Sequence, residues 1–172
     1  MATETHNLSN YNPADFPPPT GKTVALVASK WNEEVTEGLL NGALEFLKDS
    51  GMNDDQIHIH RVPGAFELPI AAAMSLEHDQ VDAVIVLGAV IRGETAHFDY
   101  VCQGVTFGVQ QVSIKYNKPV VFCVLTDNNI EQSRARSGGE HGNKGVEAAA
   151  TALQMMALKD KISRGWGTGF NV

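Results

Sequence analysis

The chain has 172 residues, the size of one domain with a single sizeable hydrophobic core. Hydrophobic residues make up 43% and charged residues 19% of it, a composition that excludes an intrinsically disordered protein. The net charge of −7 without a basic stripe argues against nucleic-acid binding, and the longest apolar runs, such as residues 83–88, are too short to span a membrane.

In chain order, the first predicted element is a flexible tail over residues 1–21, which hold four of the seven prolines among polar residues. A single domain follows over residues 22–162, and the glycine-bearing residues 163–172 are predicted to form a second flexible tail. No basic start followed by an apolar stretch marks a signal peptide. Cys102 and Cys123 lie within apolar patterns, so buried free thiols and a reducing, cytoplasmic environment are expected.

Within the domain, short apolar runs alternate with segments of helical periodicity. The predicted strands are 23–28, 57–62, 83–87 and 120–125, and the predicted helices are 33–48, one beginning near Phe66, 97–116 and 144–161. Four strand–helix units in succession predict an α/β protein of three layers, with a four-stranded parallel sheet between helices. Such sheets bind ligands at the carboxyl ends of their strands, so site residues are expected after each strand.

Two residues after the first strand are candidates for ligand contact. Trp31 is either a core residue beside a capping segment or a flat surface on which a planar ring stacks. Asn32 is predicted to be the N-cap of the helix that follows.

The second strand is followed by the segment 63–67 (PGAFE). Gly64 permits a close backbone approach, and the N–H groups that follow it would point outward at a ligand from a helix start. Glu67 could equally be a first-turn acid favoured by the helix dipole, and Phe66 a hydrophobic staple.

The third strand leads into the segment 87–97 (LGAVIRGETAH), the most informative stretch of the chain. Its small residues and glycines precede a helix whose free N–H groups suit a phosphate. The segment lacks both a Walker lysine and the spacing of a dinucleotide fingerprint, so a phosphorylated small substrate is favoured over ATP or NAD. His97 is either a proton-transfer residue or a solvated helix-start histidine, and Arg92 could be structural.

The segment after the fourth strand contains Arg134 and Arg136, either of which could bind a phosphate with its forked guanidinium. A glycine-rich turn at 137–145 leads to the last helix. No group of side chains has the spacing of metal ligands. His58 and His60 alternate along one strand, and no partner for them is evident in the sequence.

These motifs occur together in one order: WN at 31–32, VPGAFELP at 62–69, LGAVIRGETAHFD at 87–99 and GNKG at 142–145. Together they resemble the 6,7-dimethyl-8-ribityllumazine synthase family over about residues 22–162. The resemblance implies a flavodoxin-like fold and the penultimate reaction of riboflavin biosynthesis. In that reaction 5-amino-6-(D-ribitylamino)uracil condenses with 3,4-dihydroxy-2-butanone 4-phosphate, without cofactor or metal.

The resemblance also implies a role for each matching residue. The implied catalytic residues are His97, Arg136 and Lys144. The implied substrate-binding residues are Trp31, Asn32, Gly64, Ala65, Phe66, Glu67, Ala89, Val90, Ile91, Glu94, Thr95, Phe122 and Arg136.

By this resemblance, Trp31 stacks on the pyrimidine, residues 64–67 hold the ribityl chain, and residues 89–91 read the uracil edge through their backbone. Glu94 and Thr95 meet the phosphate, and His97 transfers protons. Arg136, eight residues before Lys144, matches the phosphate-binding arginine, and Arg134 does not. The acidic side chain of Glu94 leaves its backbone N–H as the expected contact.

The same resemblance implies an assembly in which Phe122 and Lys144 complete the site of a neighbouring subunit. Phe107 and Ile114 form a second apolar stripe on the helix 97–116, as expected for a helix that lines the axis of a five-subunit ring. The uninterrupted turn at 138–145 favours twelve rings packed into a 60-subunit shell, in which riboflavin synthase could be cargo.

Two other readings of the sequence stay open. A flavodoxin-like carrier of lumazine or riboflavin would keep the pocket without catalysis, although it would need neither His97 nor Arg136. A shell with a chiefly structural role could coexist with enzyme activity.

Overall fold

The computed structural model describes residues 12–164. Its main sheet has four parallel strands in the order β2-β1-β3-β4: β1 Val24–Ser29, β2 Ile57–Val62, β3 Ala83–Ile91 and β4 Val120–Asp127. The helices are α1 Glu33–Asp49, α2 Leu68–Met74, α3 His97–Tyr116, α4 Ile130–Arg136 and α5 Lys144–Ser163. The prediction of a three-layer, flavodoxin-like α/β sandwich is confirmed.

Each face of the sheet has its own hydrophobic core. On one face, alternate strand residues such as Leu26 and Ile85 pack against α1 and α5. On the other face, Val27 and Val84 pack against α2 and α3. All six residues of β1 are buried, which explains why this strand is almost continuously apolar instead of alternating.

The structure departs from the predicted elements near the strand ends. β3 continues to Ile91, four residues beyond its predicted end, because β4 pairs with it as far as Ile91↔Asp127. The segment 128–143 contains the unpredicted helix α4 and a hairpin of β5 Ser137–Gly139 and β6 Gly142–Asn143. These elements are too short and too polar to show an apolar period.

Residues 12–21, which the sequence analysis assigns to a flexible tail, make ordered contacts in the structure. Pro13–Asp15 form a 3₁₀ turn, and the ring of Phe16 packs edge-on against Phe46 of α1, with 5.4 Å between ring centroids. Pro19 is buried. This aromatic contact orders a segment whose proline content alone predicts looseness. The other tail predictions, for residues 1–11 and 165–172, lie outside the described residues.

α3 has apolar residues on two faces. Its inner face buries Phe98, Val105 and Val109, whereas Phe107 and Ile114 are 66% and 70% exposed. The second stripe seen in the sequence therefore lies on the surface of the single chain. Within residues 12–164, no helix combines the length and the apolar character that crossing a membrane requires.

Candidate active site

The sheet opens at the carboxyl ends of β1 and β3. β1 pairs with β3 only as far as Ala28↔Leu87, whereas β4 follows β3 to Ile91. The last four residues of β3 therefore have a strand neighbour on one side only. In this strand order the connections leave β1 and β3 in opposite directions, and the crevice between such strands is where α/β sheets bind ligands.

The backbone of β3 presents polar groups to this opening. Arg92 N donates to Asp127 O on the β4 side at 3.0 Å, and Ala89 O accepts from Asn32 Nδ2 on the β1 side at 2.8 Å. Because successive strand residues point their backbone groups to opposite sides, Ala89 and Ile91 face the opening and Val90 faces β4. Val90 can therefore contact a ligand in the opening only through its side chain.

A cavity of about 380 Å³ occupies the opening. It is lined by Trp31, Asn32, Gly64, Ala65, Phe66, Glu67, Ala89, Val90, Ile91, His97 and Val101. Ten of these eleven residues are predicted site residues. Val101 is the one lining residue that the sequence analysis does not single out. Its position four residues after His97, on the same side of α3, is the signal that could have found it.

The turn after β1 forms one wall of the cavity. Trp31 is 72% exposed, so it is not the core residue of the alternative interpretation. Asn32 holds the N-cap position of α1, as predicted, and its carbonyl oxygen accepts from Val35 N at 2.9 Å, but it adopts a left-handed conformation, with φ 58°, and its side chain does not cap the helix. Its amide instead joins this turn to β3 through the bond to Ala89 O.

The segment after β2 forms the facing wall. Glu67 Oε2 accepts from the N–H of Gly64 at 2.9 Å. A Cβ atom on Gly64 would lie 3.2 Å from this carboxylate oxygen and 3.4 Å from Trp31 Cδ1. Glycine thus permits the close approach expected from the sequence. Phe66 is 60% exposed and lies against Gly104 of α3, which does not fit a buried staple.

An exposed loop, residues 92–96, leads from β3 to the start of α3. Arg92 anchors it, since its guanidinium forms two bonds to Asp99, at 2.8 and 3.3 Å, and lies 4.1 Å above the Phe98 ring. The hydrogen bonds to Asp99 raise the pKa of Arg92. Arg92 is therefore occupied as a structural residue.

Glu94 and Thr95 lie on this loop, outside the residues that line the cavity. Thr95 Oγ1 accepts from His97 N at 3.4 Å. Since a hydroxyl can accept and donate at once, Thr95 keeps its own hydrogen for another acceptor. The start of the 20-residue helix α3, with its positive dipole end, directly follows.

Phe122 and Lys144 lie elsewhere in the single chain. Both line a separate cavity of about 580 Å³ along the outer edge of β4. Phe122 is 40% exposed, and Lys144 Nζ donates to Glu147 Oε1 at 2.6 Å. The predicted site residues therefore form two groups, the β1–β3 cleft and the β4 edge.

Arg136 is joined to the second group by the hairpin. Ser137 pairs with Asn143, so Arg136 and Lys144 flank the base of the hairpin along the chain. Arg136 Nη1 donates to Gln132 O at 2.8 Å, and no carboxylate within residues 12–164 pairs with this guanidinium.

Arg134 is engaged differently. Its Nε and Nη2 donate to the two carboxylate oxygens of Glu34, at 3.0 and 2.8 Å. This interaction lowers the pKa of Glu34 and raises that of Arg134. Of the two arginines, only Arg136 has its charge uncompensated by a carboxylate.

The GNKG segment fixes the position of Lys144. Asn143 caps α5 by accepting from Gly145 N and donates to Gly38 O of α1, each at 2.8 Å. A Cβ atom on Gly145 would collide with the carbonyl oxygen of Leu39. The asparagine and the glycine therefore pack the hairpin and α5 tightly on α1.

The sequence gives His58 and His60 no partner, and this expectation is wrong for the residues described. Asp79 lies beside both rings: its Oδ2 is 2.7 Å from His60 Nε2 and 3.9 Å from His58 Nδ1. The three residues offer ligand atoms within 4.8 Å of one another. Asp79 ends the π-helical turn Ser75–Asp79, which has no sequence signal that would have placed it against β2.

Comparisons with known proteins agree on one family. The family model described as 6,7-dimethyl-8-ribityllumazine synthase matches residues 21–160. A relative of that name from Flavobacterium johnsoniae is 50% identical over 163 residues, covering 95% of this chain and 86% of the relative. Relatives of the same name from Christiangramia forsetii and Porphyromonas gingivalis are 49% and 46% identical; each alignment covers 92% of this chain, with 95% and 99% of the relatives.

Proposed function

The chain belongs to the 6,7-dimethyl-8-ribityllumazine synthase family, and from this premise we propose how its residues share the work of the reaction. It condenses 5-amino-6-(D-ribitylamino)uracil with 3,4-dihydroxy-2-butanone 4-phosphate, a step of riboflavin biosynthesis that releases phosphate and water. One observation supports the assignment of the site. The β1–β3 cleft combines an exposed aromatic ring, unpaired strand backbone and a helix-start histidine in one cavity.

The cleft binds the pyrimidine substrate. The exposed indole of Trp31 offers a face for stacking, which adds about 0.5–1.5 kcal/mol beyond the burial of area. The backbone groups of Ile91 that face the opening, together with the second lone pair of Ala89 O, whose first is used by Asn32, offer donors and acceptors for a uracil edge. Val90 contacts the ring from the side.

The ribityl chain extends along the facing wall. One oxygen of Glu67 is held by Gly64 N–H, which orients the carboxylate and leaves the other oxygen to accept from a ribityl hydroxyl. Gly64 allows the chain to approach the backbone, beside Ala65 and Phe66.

The phosphate of the second substrate binds at the start of α3. Thr95 donates its hydroxyl hydrogen, and Glu94 contributes its backbone N–H, because its carboxylate would repel the anion. Arg136, whose charge no carboxylate within the described residues compensates, adds a charged hydrogen bond worth about 1.5–3 kcal/mol.

Catalysis consists of positioning and proton transfer. The amine of the pyrimidine attacks the ketone of the butanone phosphate, and loss of water gives an imine. Phosphate is then eliminated, and after tautomerisation the second nitrogen attacks the remaining carbonyl and closes the ring with loss of a second water. Because the substrate supplies the amine, no enzyme lysine has to form a Schiff base. His97 transfers protons at the mouth of the cleft. Holding the two reactants in the reactive orientation lowers the activation barrier by ~7–11 kcal/mol where the geometry is well held.

The two groups of residues act together across a subunit boundary. Phe122, Arg136 and Lys144 of one subunit complete the cleft of its neighbour. The exposed stripe of Phe107 and Ile114 packs α3 around the axis of a five-subunit ring.

We also propose a larger assembly of the five-subunit rings and a location of the protein in the cell. The short hairpin turn leaves room for twelve rings to form a 60-subunit shell, which could enclose riboflavin synthase. Free Cys102 and Cys123, with burial raising the pKa of the Cys123 thiol to about 12, suit the reducing cytoplasm.

One assay tests the proposed function. The purified full chain is mixed with both substrates, and lumazine absorbance and phosphate release are followed together. We expect equimolar formation of the two products. Tight binding of lumazine or riboflavin without turnover would contradict the assignment and indicate a carrier.

A further inference from the structure

A cluster of two imidazoles and a carboxylate lies on the edge strand β2, apart from the residues that line the cleft. His58 and His60 are two residues apart on β2, opposite Ala25 and Val27 of β1, so both rings project from the same face of the sheet. Asp79, at the end of the turn after α2, brings its carboxylate between them.

We propose that His58, His60 and Asp79 bind one divalent cation of the zinc class. In a tetrahedral zinc site with bonds of about 2.0–2.2 Å, neighbouring ligand atoms are about 3.4 Å apart. The two distances to Asp79 Oδ2, 2.7 and 3.9 Å, lie on either side of that value. Small side-chain rotations therefore bring the three ligand atoms into place without moving the strand.

The chemistry of the ligands selects the cation. Imidazole nitrogens favour zinc, nickel or copper, whereas magnesium and calcium prefer sites made of oxygen ligands. Three protein ligands leave coordination positions for water. The side chains of His58, His60 and Asp79 are 35%, 41% and 27% exposed, so a hydrated ion can reach them.

Neighbouring charged groups are engaged elsewhere. Glu77 accepts from the hydroxyl of Tyr116, and Arg61 pairs with Glu37 of α1. Among the described residues, no lysine or arginine pairs with Asp79. A bound cation would therefore meet a carboxylate that no other cationic side chain already neutralises.

Binding would join the two ends of the β2–α2 unit. His60 lies three residues before Pro63, the first residue of the segment 63–67, and Asp79 ends the turn after α2. The ion would thus link His60 to Asp79 through coordinate bonds and so close a ring that contains the segment 63–67, which forms one wall of the cleft. A ligand that binds only the folded state stabilises that state by mass action.

Calorimetric titration of the full chain with zinc chloride, in buffer free of chelators, tests the proposal. We expect one zinc ion per chain, and at least about tenfold weaker binding in His60→Gln and Asp79→Asn. His78→Gln, which removes an exposed imidazole beside Asp79, is the matched control and should bind zinc as the unaltered chain does. Lumazine synthase activity retained in each variant shows that it is folded.

Three results would overturn the proposal: no saturable zinc site in the unaltered chain, equal affinity in His60→Gln and Asp79→Asn, or a loss of binding in His78→Gln alone. If a variant fails to fold, X-ray absorption of the zinc-loaded unaltered chain decides. A spectrum that shows two imidazole ligands on zinc supports the site, and a spectrum that shows no imidazole in the coordination shell of zinc contradicts it.

Discussion

The β1–β3 cleft and the β4 edge differ in how their polar groups are used. In the cleft, the backbone of Ile91 and one oxygen of Glu67 are left for a ligand, and Trp31 is largely exposed. At the β4 edge, Lys144 and Glu147 are paired at 2.6 Å, with side chains only 20% and 18% exposed. The cleft therefore leaves polar groups and an aromatic face open, whereas the β4 edge holds its lysine in an ion pair.

The two regions are also supported differently. The cleft depends on strand ends and on single bonds such as that from Asn32 to Ala89 O. The β4 edge depends on the packing of the hairpin and α5 against α1, where Gly145 permits contact with Leu39. Variants that affect one region can therefore leave the fold of the other intact.

The largest expected effect comes from separating the two regions by breaking the assembly. Phe107→Glu places a charge on the exposed apolar stripe of α3, where five copies would meet and desolvation is costly. We expect smaller particles by light scattering and loss of activity in the same fractions. Asn41→Glu, which adds the same charge at an exposed polar position of α1, should change neither. A fully active small particle would show that the cleft works alone.

His97→Ala tests proton transfer within the cleft. We expect kcat to fall roughly 100-fold, the lower end of general acid–base effects, because this condensation also proceeds uncatalysed. KM should change little. His141→Ala, at an exposed position of the hairpin, serves as control. An unchanged kcat in His97→Ala would remove the proposed role.

The β4-edge group is tested by Arg136→Ala. The loss of a charged hydrogen bond should raise KM for the butanone phosphate about 10–100-fold and leave KM for the pyrimidine unchanged. Arg134→Ala should leave both values unchanged, because Arg134 is held by Glu34. Steady-state kinetics with each substrate varied separately makes the measurement. Equal effects in the two variants would mean that the phosphate arginine has been assigned wrongly.

The smallest expected effect concerns stacking. Riboflavin should bind in the cleft as a product-like ligand, with its fluorescence quenched by Trp31. Trp31→Ala should remove most of the quenching and weaken binding about 2–10-fold, and Trp31→Phe should retain part of the affinity. Full quenching in Trp31→Ala would place the flavin ring elsewhere.

The sequence predicts the cleft better than its surroundings. Strand ends of a parallel sheet converge at one edge, so locating residues 31, 64 and 89 after three apolar runs was enough to bring them together. The motif resemblance added a role for each position. Local sequence patterns are therefore enough to locate site residues whose positions follow directly from the order of strands in the sheet.

Contacts between distant segments were not predictable in the same way. The sequence shows no sign that Asp79 would lie against His60, or that Phe16 would pack on Phe46, because each contact depends on a turn without apolar period. The sequence likewise does not predict the β5–β6 hairpin between Arg136 and Lys144, although it shows that the two residues are eight positions apart.

In the proposed assembly, a cleft from one subunit and a β4 edge from its neighbour make one active site. It is tested by combining Trp31→Ala/His97→Ala chains with Arg136→Ala/Lys144→Ala chains, each inactive alone, by unfolding and refolding them together in equal amounts. If sites are shared, random hybrid rings contain intact sites at about one quarter of positions, and activity returns to about that fraction of the unaltered protein. If hybrid rings form and activity stays at the level of the separate variants, each subunit builds its own site and neighbouring subunits do not share one.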